Sequence, residues 1–347
     1  MHRPVLEAAS ALTDAVARLI FGTEDLSRVT DALSGWTRAE LGASVLFVEQ
    51  WHWSVGAVAL VALDDGRRVA LKTFPPRWKA PFLHAVVAVQ RHLAERGLPC
   101  PSPLAGPAPL DESGALVCAE GTLDDPGWRA RPLGEAELVA SACGLARLVT
   151  VAAELSPDVV APLAGHPLAT PVDGLYPEPH SPLFDFEATR QGAVWIDELA
   201  RAAMEARDGD QALPVVAHTD WSARNVRAWP DGIRAIYDSD SLALVPESTA
   251  VGIAAATWSA FGDADDETAP APREAARWIA AYMDAGRPLS KVQQRAAGGS
   301  VLYSLCYTAR CEHAVEVAHR ELGRPRRARD RLEVDGESYV EQLVAAL

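Results

Sequence analysis

The sequence predicts an α/β (α+β) chain in two lobes, a small β-sheet lobe followed by a mainly helical one. Three observations carry this. Between residues 44 and 74, strand-like apolar runs are broken by the turn Asp64-Asp65-Gly66. From about residue 135 onward, apolar residues return every three or four positions, the spacing of helices with one buried face. The length of 347 residues, with 49% apolar and 23% charged, is enough for two lobes and has the composition of an ordinary globular chain. The lobes are expected at 1–120 and 121–347.

In chain order, residues 4–20 and 24–41 carry helical apolar spacing, through Val5, Ala8, Leu12, Val16 and Leu19, then Leu26, Val29, Leu33 and Trp36. Residues 44–63 and 68–74 read as strands. A helix over about 79–96 stops at Gly97, with Pro99 and Pro101 beyond it. Residues 115–120 form a further strand, which enters Gly121–Pro132, a stretch rich in Asp, Gly, Pro and Arg and the best candidate for a hinge between lobes. Helices are expected at about 135–155, 187–206, 273–285, 290–322 and 327–346. Residues 156–184 contain seven prolines in 29 positions, which excludes a continuous helix and predicts a surface excursion.

The chemistry concentrates in residues 214–240. An apolar run, Pro214 to Ala217, leads into His218, Asp220 and Asn225, in the order H-x-D-x-x-x-x-N. After Pro230-Asp231-Gly232, a second strand-like run, Ile233 to Tyr237, ends at Asp238, with Asp240 two positions on. Two short strands joined through a polar loop and this turn are expected to form a hairpin-like unit that brings Asp220 and Asp238 together. Phosphoryl transfer needs a carboxylate to orient the attacking hydroxyl and accept its proton, and oxygen ligands to hold magnesium on the nucleotide phosphates. Asp220 suits the first role, and Asn225 with Asp238 suits the second. Asp240 is the alternative ligand if the strand extends that far. Magnesium fits because it takes few protein oxygens and leaves the remaining positions to phosphate and water.

These residues resemble the aminoglycoside phosphotransferase and choline-kinase-like family, small-molecule kinases built on a protein-kinase-like fold and usually worded H-G-D-x-x-x-x-N followed by I-D-W or I-D-F. Here Thr219 replaces the usual Gly, Arg224 precedes the Asn, and Tyr237-Asp238-Ser239 replaces I-D-W. The resemblance implies Asp220 as catalytic base, Asn225 and Asp238 as magnesium ligands, and His218 as a brace for the loop. It extends upstream to Val69-Ala70-Leu71-Lys72, close to the V-A-I-K of kinases, where the lysine contacts the nucleotide phosphates. Glu120 and Gly121 are expected near the base, where backbone groups pair with ATP or GTP alike. Two features depart from kinases. The stretch Trp51 to Gly56, where a Gly-rich loop would sit, has one glycine, and the helix after Lys72 has no acid before Glu95. Gln90 and His84 are the candidates to take that acid's place.

The balance of 47 acidic against 32 basic residues, net −15, argues against nucleic acid as a partner and suits a cationic substrate, although such acidity also serves solubility. Glu7 and Asp14 fall within an amphipathic start, so no signal peptide is expected. The longest apolar run, Val55 to Leu63, is too short to span a bilayer, and a cytoplasmic location follows. Cys100, Cys118, Cys143, Cys306 and Cys311 show no metal spacing and are expected to be reduced. Candidate acceptor-binding residues are Asp263, Asp265, Asp266 and Glu267 in one loop, and Glu312 and Glu316 on a late helix beside Arg310 and His313. Trp195, Trp258 and Tyr307 are candidates for a sugar-binding wall. The activity expected is ATP- and magnesium-dependent phosphorylation of a hydroxyl on an aminoglycoside, amino sugar or other polar molecule. The alternatives are a housekeeping metabolite kinase and a nucleotide-binding pseudokinase.

Overall fold

The computed structural model describes residues 14, 16–111, 114–123, 133–166, 174–179, 184–260, 269–319 and 326–347. It divides into two compact units. The first holds the described residues up to Glu95 and those of Cys100–Asp124, and the second holds Arg96–Pro99 and the described residues from 133 onward.

In the first unit a helical stretch over 16–21 precedes α1 (Leu26–Leu41). Asp25 begins α1 by accepting the Ser27 amide at 2.9 Å, and Gly42 ends it in the left-handed region. The run read as strand over 44–63 is two strands, β1 (Val45–Trp53) and β2 (Ala57–Leu63), turned at Ser54-Val55-Gly56. β3 (Arg68–Phe74), α2 (Ala80–Glu95), β4 (Pro103–Pro109) and β5 (Leu116–Gly121) follow, and the antiparallel sheet runs β1-β2-β3-β5-β4. Alternate residues of β2, β3 and β5, namely Ala59, Val61, Val69, Leu71, Val117 and Ala119, share one buried cluster with Val29, Leu33 and Trp36 of α1. The two-residue period turns Val58, Ala70, Lys72, Cys118 and Glu120 to the opposite face. Gly56 is required at its turn, because a Cβ there would lie 2.7 Å from the Thr73 carbonyl oxygen.

The second unit is mainly helical. α3 (Glu135–Ala152) is followed by a short α4 (Pro157–Val160) and a 3-10 turn over Ala161–Gly165, then by α5 (Val194–Arg207). The expected helix over 187–206 begins seven residues late, after turns at 187–192 that end with Gly192 at φ 83°. α6 (Glu247–Thr257), α7 (Pro272–Asp284) and α8 (Lys291–Ala318) come next. α8 is buried around most of its circumference, as a central helix must be when others pack on several sides. The single helix expected over 327–346 is two, α9 (Arg327–Asp335) and α10 (Tyr339–Ala346), separated by a 3-10 turn at Gly336. Among the described residues no single helix is long and apolar enough to cross a membrane.

Four short strands lie within this unit: β6 (Pro214–His218), β7 (Val226–Trp229), β8 (Gly232–Ile236) and β9 (Leu242–Pro246). Their pairing corrects the hairpin expected from the sequence. β7 and β8 make the hairpin around Pro230-Asp231, whereas β6 pairs with β9 beyond Asp238. An intramolecular crossover therefore carries Asp220 back to Asp238. Gly144 of α3 permits its close approach to the hairpin, since a Cβ there would sit 2.4 Å from Ile233 and 3.3 Å from Trp221.

Candidate active site

The loop from β6 to β7 carries His218, Asp220 and Asn225. Fully buried His218 accepts the Asp220 backbone amide at Nδ1 (3.2 Å) and donates from Nε2 to the Tyr237 carbonyl (2.9 Å). These two bonds tie the Asp220 loop to the residue preceding Asp238. The Asn225 amide nitrogen donates to Asp220 Oδ2 at 2.8 Å and to the Asp220 carbonyl at 3.2 Å. With its N–H groups facing Asp220, Asn225 retains its side-chain oxygen as a ligand atom. The Asn225 carbonyl accepts the Tyr237 amide at 2.8 Å, which draws the start of β7 against the end of β8.

Asp238 is the one non-glycine residue with positive φ among the described residues, at φ 62° and ψ 46°. Its carboxylate accepts the Ser241 hydroxyl at 3.1 Å, and its carbonyl accepts the Ser241 amide at 2.9 Å, closing a 3-10 turn over Ser239–Ser241. Left-handed backbone at a residue other than glycine is uncommon and concentrates at functional positions. The strand ends at Ile236 and does not reach Asp240, which lies in that turn and is buried. The two-residue alternation that made Asp240 an equivalent ligand therefore does not apply.

The Asp220 side chain opens to solvent on one side, while the surrounding protein desolvates its carboxyl and raises its pKa above the usual carboxylate range. The negative charge of Asp238 pushes in the same direction, against the influence of His218 and Arg224. Two neighbouring carboxylates, one of which raises the proton affinity of the other, form with the Asn225 amide oxygen a donor set suited to a hard divalent cation. Among the described residues no trio of His, Cys, Asp and Glu converges on a metal position.

Sequence reasoning missed three supports of this site. His166, at the end of the 3-10 turn after α4, places Nε2 3.0 Å from the Asp240 carbonyl, so a second buried imidazole holds the backbone just past Asp238. Burial pushes its pKa down to about 4, against the opposing hydrogen bond to Asp240 and the Asp238 charge. Trp221, fully buried, donates from its indole to the Ser141 hydroxyl at 3.0 Å and packs edge-on against His218. Thr219 donates both its amide (2.8 Å) and its hydroxyl (2.9 Å) to the Ser241 carbonyl. Their partners lie between 22 and 80 residues away in sequence, beyond the reach of local pattern.

Residues 56–289 match the model of the phosphotransferase enzyme family, labelled APH. The chain belongs to the phosphotransferase enzyme family. It is a small-molecule phosphotransferase with the kinase-like arrangement of an antiparallel-sheet lobe and a helical lobe. It is similar in fold to an amicoumacin kinase, hAmiN, solved in complex with AMP-PNP, Ca2+ and Ami, at a TM-score of 0.57, 11% identity and coverage of 86% of this chain and 88% of that one. It is also similar to a protein described as an aminoglycoside phosphotransferase from Ralstonia eutropha, at a TM-score of 0.53, 16% identity and coverage of 91% and 97%. No curated protein matches the chain by sequence.

The remaining nucleotide-site expectations of this family member fall in the first unit. Lys72 is buried on the sheet face opposite the α1 cluster. Glu120 is buried and accepts the Gln90 amide nitrogen at 2.8 Å, while His84 is exposed on α2. The Gly121 amide donates to the Ser102 carbonyl at 2.9 Å and is thereby occupied within the sheet.

The acceptor-binding candidates fare unequally. Asp263, Asp265, Asp266 and Glu267 lie outside the described residues. Glu312 accepts the amides of Ala328 and Arg329, both at 3.0 Å, so it closes the first turn of α9, and Glu316 pairs with Arg329. Arg310 is buried against Asp197 at 3.0 Å, and His313 meets the Gln191 carbonyl. Tyr307 packs with Phe186 and Tyr176 beside a small buried cluster. Trp195 and Trp258 are half-buried.

Proposed function

We propose that the protein transfers the γ-phosphoryl group of ATP to a hydroxyl of a small polar molecule, with magnesium. The observation that carries this reading is the Asp220–Asn225–Asp238 constellation: a carboxylate oriented by an amide, opposite a second carboxylate held in left-handed backbone. Asp220 would orient the acceptor hydroxyl and accept its proton as the oxygen bonds to the γ-phosphorus. The bond from that phosphorus to the β–γ bridging oxygen then breaks, and ADP leaves. Asn225 and Asp238 would hold magnesium, which when bound neutralises charge on the phosphate oxygens. Lys72 would contact the nucleotide phosphates, and Glu120 with Gly121 would lie near the base. The dependence on ATP fits a cytoplasmic location.

For the acceptor, the amicoumacin kinase supports testing antibiotics with free hydroxyls, and the net charge of −15 suits a cationic one such as an aminoglycoside. The deciding experiment is a panel of aminoglycosides, other hydroxyl-bearing antibiotics, amino sugars and choline-like alcohols, incubated with ATP and magnesium. Transfer is read as acceptor-dependent ADP release and as a new phosphate ester by phosphorus NMR. Susceptibility of an expressing strain then separates a resistance enzyme from a housekeeping kinase. The lone glycine of the β1–β2 turn and the lack of an acid in α2 before Glu95 favour a pseudokinase as the second reading. Nucleotide binding without acceptor-dependent turnover across the whole panel would select it.

A further inference from the structure

We propose that His52 of β1 binds the phosphates of the nucleotide from the sheet face that carries Lys72, taking over from the backbone amides of a glycine-rich turn. The inference rests on the reading that Lys72 contacts those phosphates.

Register places the imidazole. His52 pairs with Val58, Val58 with Lys72 and Lys72 with Cys118, so the four form one row across β1, β2, β3 and β5. Residues directly opposite one another in a sheet project from the same face. The register shifts of β1 lie before Gln50, and the pairing is regular from there to Trp53. Neighbouring strands lie about 4.8 Å apart, which sets the His52 and Lys72 backbones roughly 10 Å apart with Val58 between them. Two donors at that spacing can close on a phosphate chain from either side.

The opposite face fixes this orientation. Trp51 and Trp53 pair with Ala59 and Ala57, which are buried. The two indoles stack with centroids 4.9 Å apart, and Phe21 meets Trp53 edge-on at 6.2 Å. Both tryptophans pack on a buried cluster with Val16 and Ile20. Two bulky rings anchored on one face leave the residue between them on the other, where His52 is exposed.

The turn that follows is pinned to β3. The Ser54 amide donates to the Gly56 carbonyl at 2.9 Å, which occupies an N–H that a phosphate-wrapping turn would present. Gly56 itself approaches the Thr73 carbonyl, next to Lys72, too closely for any side chain. The backbone of this turn therefore has little to offer a phosphate. An imidazole N–H on a strand held by stacked rings supplies a directed donor, and a charged one when protonated.

The test uses the full-length protein and the variants His52→Ala, His52→Gln and His52→Lys. Dissociation constants are measured by calorimetry for Mg2+-ADP and Mg2+-AMP-PNP, and by competition for adenosine, beside a thermal melt of each variant. His52→Ala should weaken both phosphate-bearing ligands by about tenfold, the worth of one charge-assisted hydrogen bond, and adenosine by less than about twofold. His52→Lys should recover most of the loss, because it restores a charged donor. An exposed strand residue should leave the thermal midpoint within a few degrees of the parent. If His52→Ala fails to fold, His52→Val, which suits a strand, takes its place in the comparison. Mg2+-ADP affinity within about twofold of the parent in His52→Ala overturns the inference while the kinase reading stands. An equal loss for adenosine and Mg2+-ADP also overturns it, since His52 would then act on the base or on the sheet. So does recovery in neither His52→Lys nor His52→Gln. A parent that binds no nucleotide sinks the kinase reading and the inference with it.

Discussion

Replacing Asp220 by Asn separates a catalytic carboxylate from a structural one, because the change alters charge and basicity while preserving shape. An Asn side-chain oxygen can still accept the Asn225 amide, which now bonds Asp220 Oδ2 at 2.8 Å, and the backbone bond to His218 Nδ1 is untouched. Stability should hold or rise, since desolvation and the Asp238 charge both act against an ionised carboxylate at 220. Loss of the general base should lower turnover by about 10²–10⁴-fold, or about 3–5 kcal/mol of transition-state stabilisation. The assay is acceptor-dependent ADP release at saturating ATP and magnesium, run beside Mg2+-ADP calorimetry and a thermal melt. Turnover within about threefold of the parent would refute the assignment of the base. Loss of nucleotide binding together with turnover would show that Asp220 holds the loop.

Asp238→Asn tolerates the left-handed backbone better than Ala would and should raise the magnesium concentration needed for half-maximal transfer; an unchanged requirement would remove Asp238 from the ligand set. In metal-free protein the folded state holds the Asp220 proton more tightly than the unfolded chain does, so stability falls as pH rises from the ordinary carboxylate value to the raised one. Asp238→Asn removes one cause of that rise, so melts across pH 4–7 should show a shallower decline, whereas an identical slope would place the repulsion elsewhere. Glu312→Ala strips the acceptor from two amides of α9 and should cost about 1–2 kcal/mol in a denaturant melt without altering transfer; a selective loss of acceptor affinity would restore Glu312 to the substrate site. Gly144→Ala forces a methyl against Ile233 and Trp221 and should cost about 1–3 kcal/mol, measured in the same way, and a neutral result would mean that α3 shifts freely against the hairpin.

The readable part of this protein was local. The α1 stripe, the β3 strand and the order His218, Asp220, Asn225, Asp238 are each set by neighbours a few positions apart, so spacing was enough to place them. The β6–β9 pairing was not readable, because Val215 and Val245, or His218 and Leu242, meet only after Asp238 and its turn reverse the chain. Two apolar runs flanking a Pro-Asp-Gly turn looked like mutual partners, whereas the nearer β7 takes the hairpin with β8. The single helix read at 327–346 is interrupted where Asp335 and Ser338, both with φ near −114°, flank a 3-10 turn over Gly336–Ser338, although the apolar positions continue on both sides. The role of Glu312 was hidden for the complementary reason: an acid on a helix surface looks the same in sequence whether it faces solvent or the first turn of another helix.

The departures from the family's usual wording make physical sense only in pairs. Thr219 stands where glycine is usual, and its hydroxyl adds a second donor to the Ser241 carbonyl already bonded by its amide, so the extra side chain reinforces the continuation of β6 beside β9. Ser241 in turn directs its own hydroxyl to Asp238. The larger residue at 219 and the serine at 241 thus connect the loop that carries Asp220 to Asp238. Tyr237 replaces an aliphatic residue before Asp238 and has the Arg227 guanidinium 5.5 Å from its ring centre, across the same hairpin. In both cases the departing residue gains a partner from elsewhere in the chain: the Ser241 carbonyl receives the Thr219 hydroxyl, and the Arg227 guanidinium lies over the Tyr237 ring.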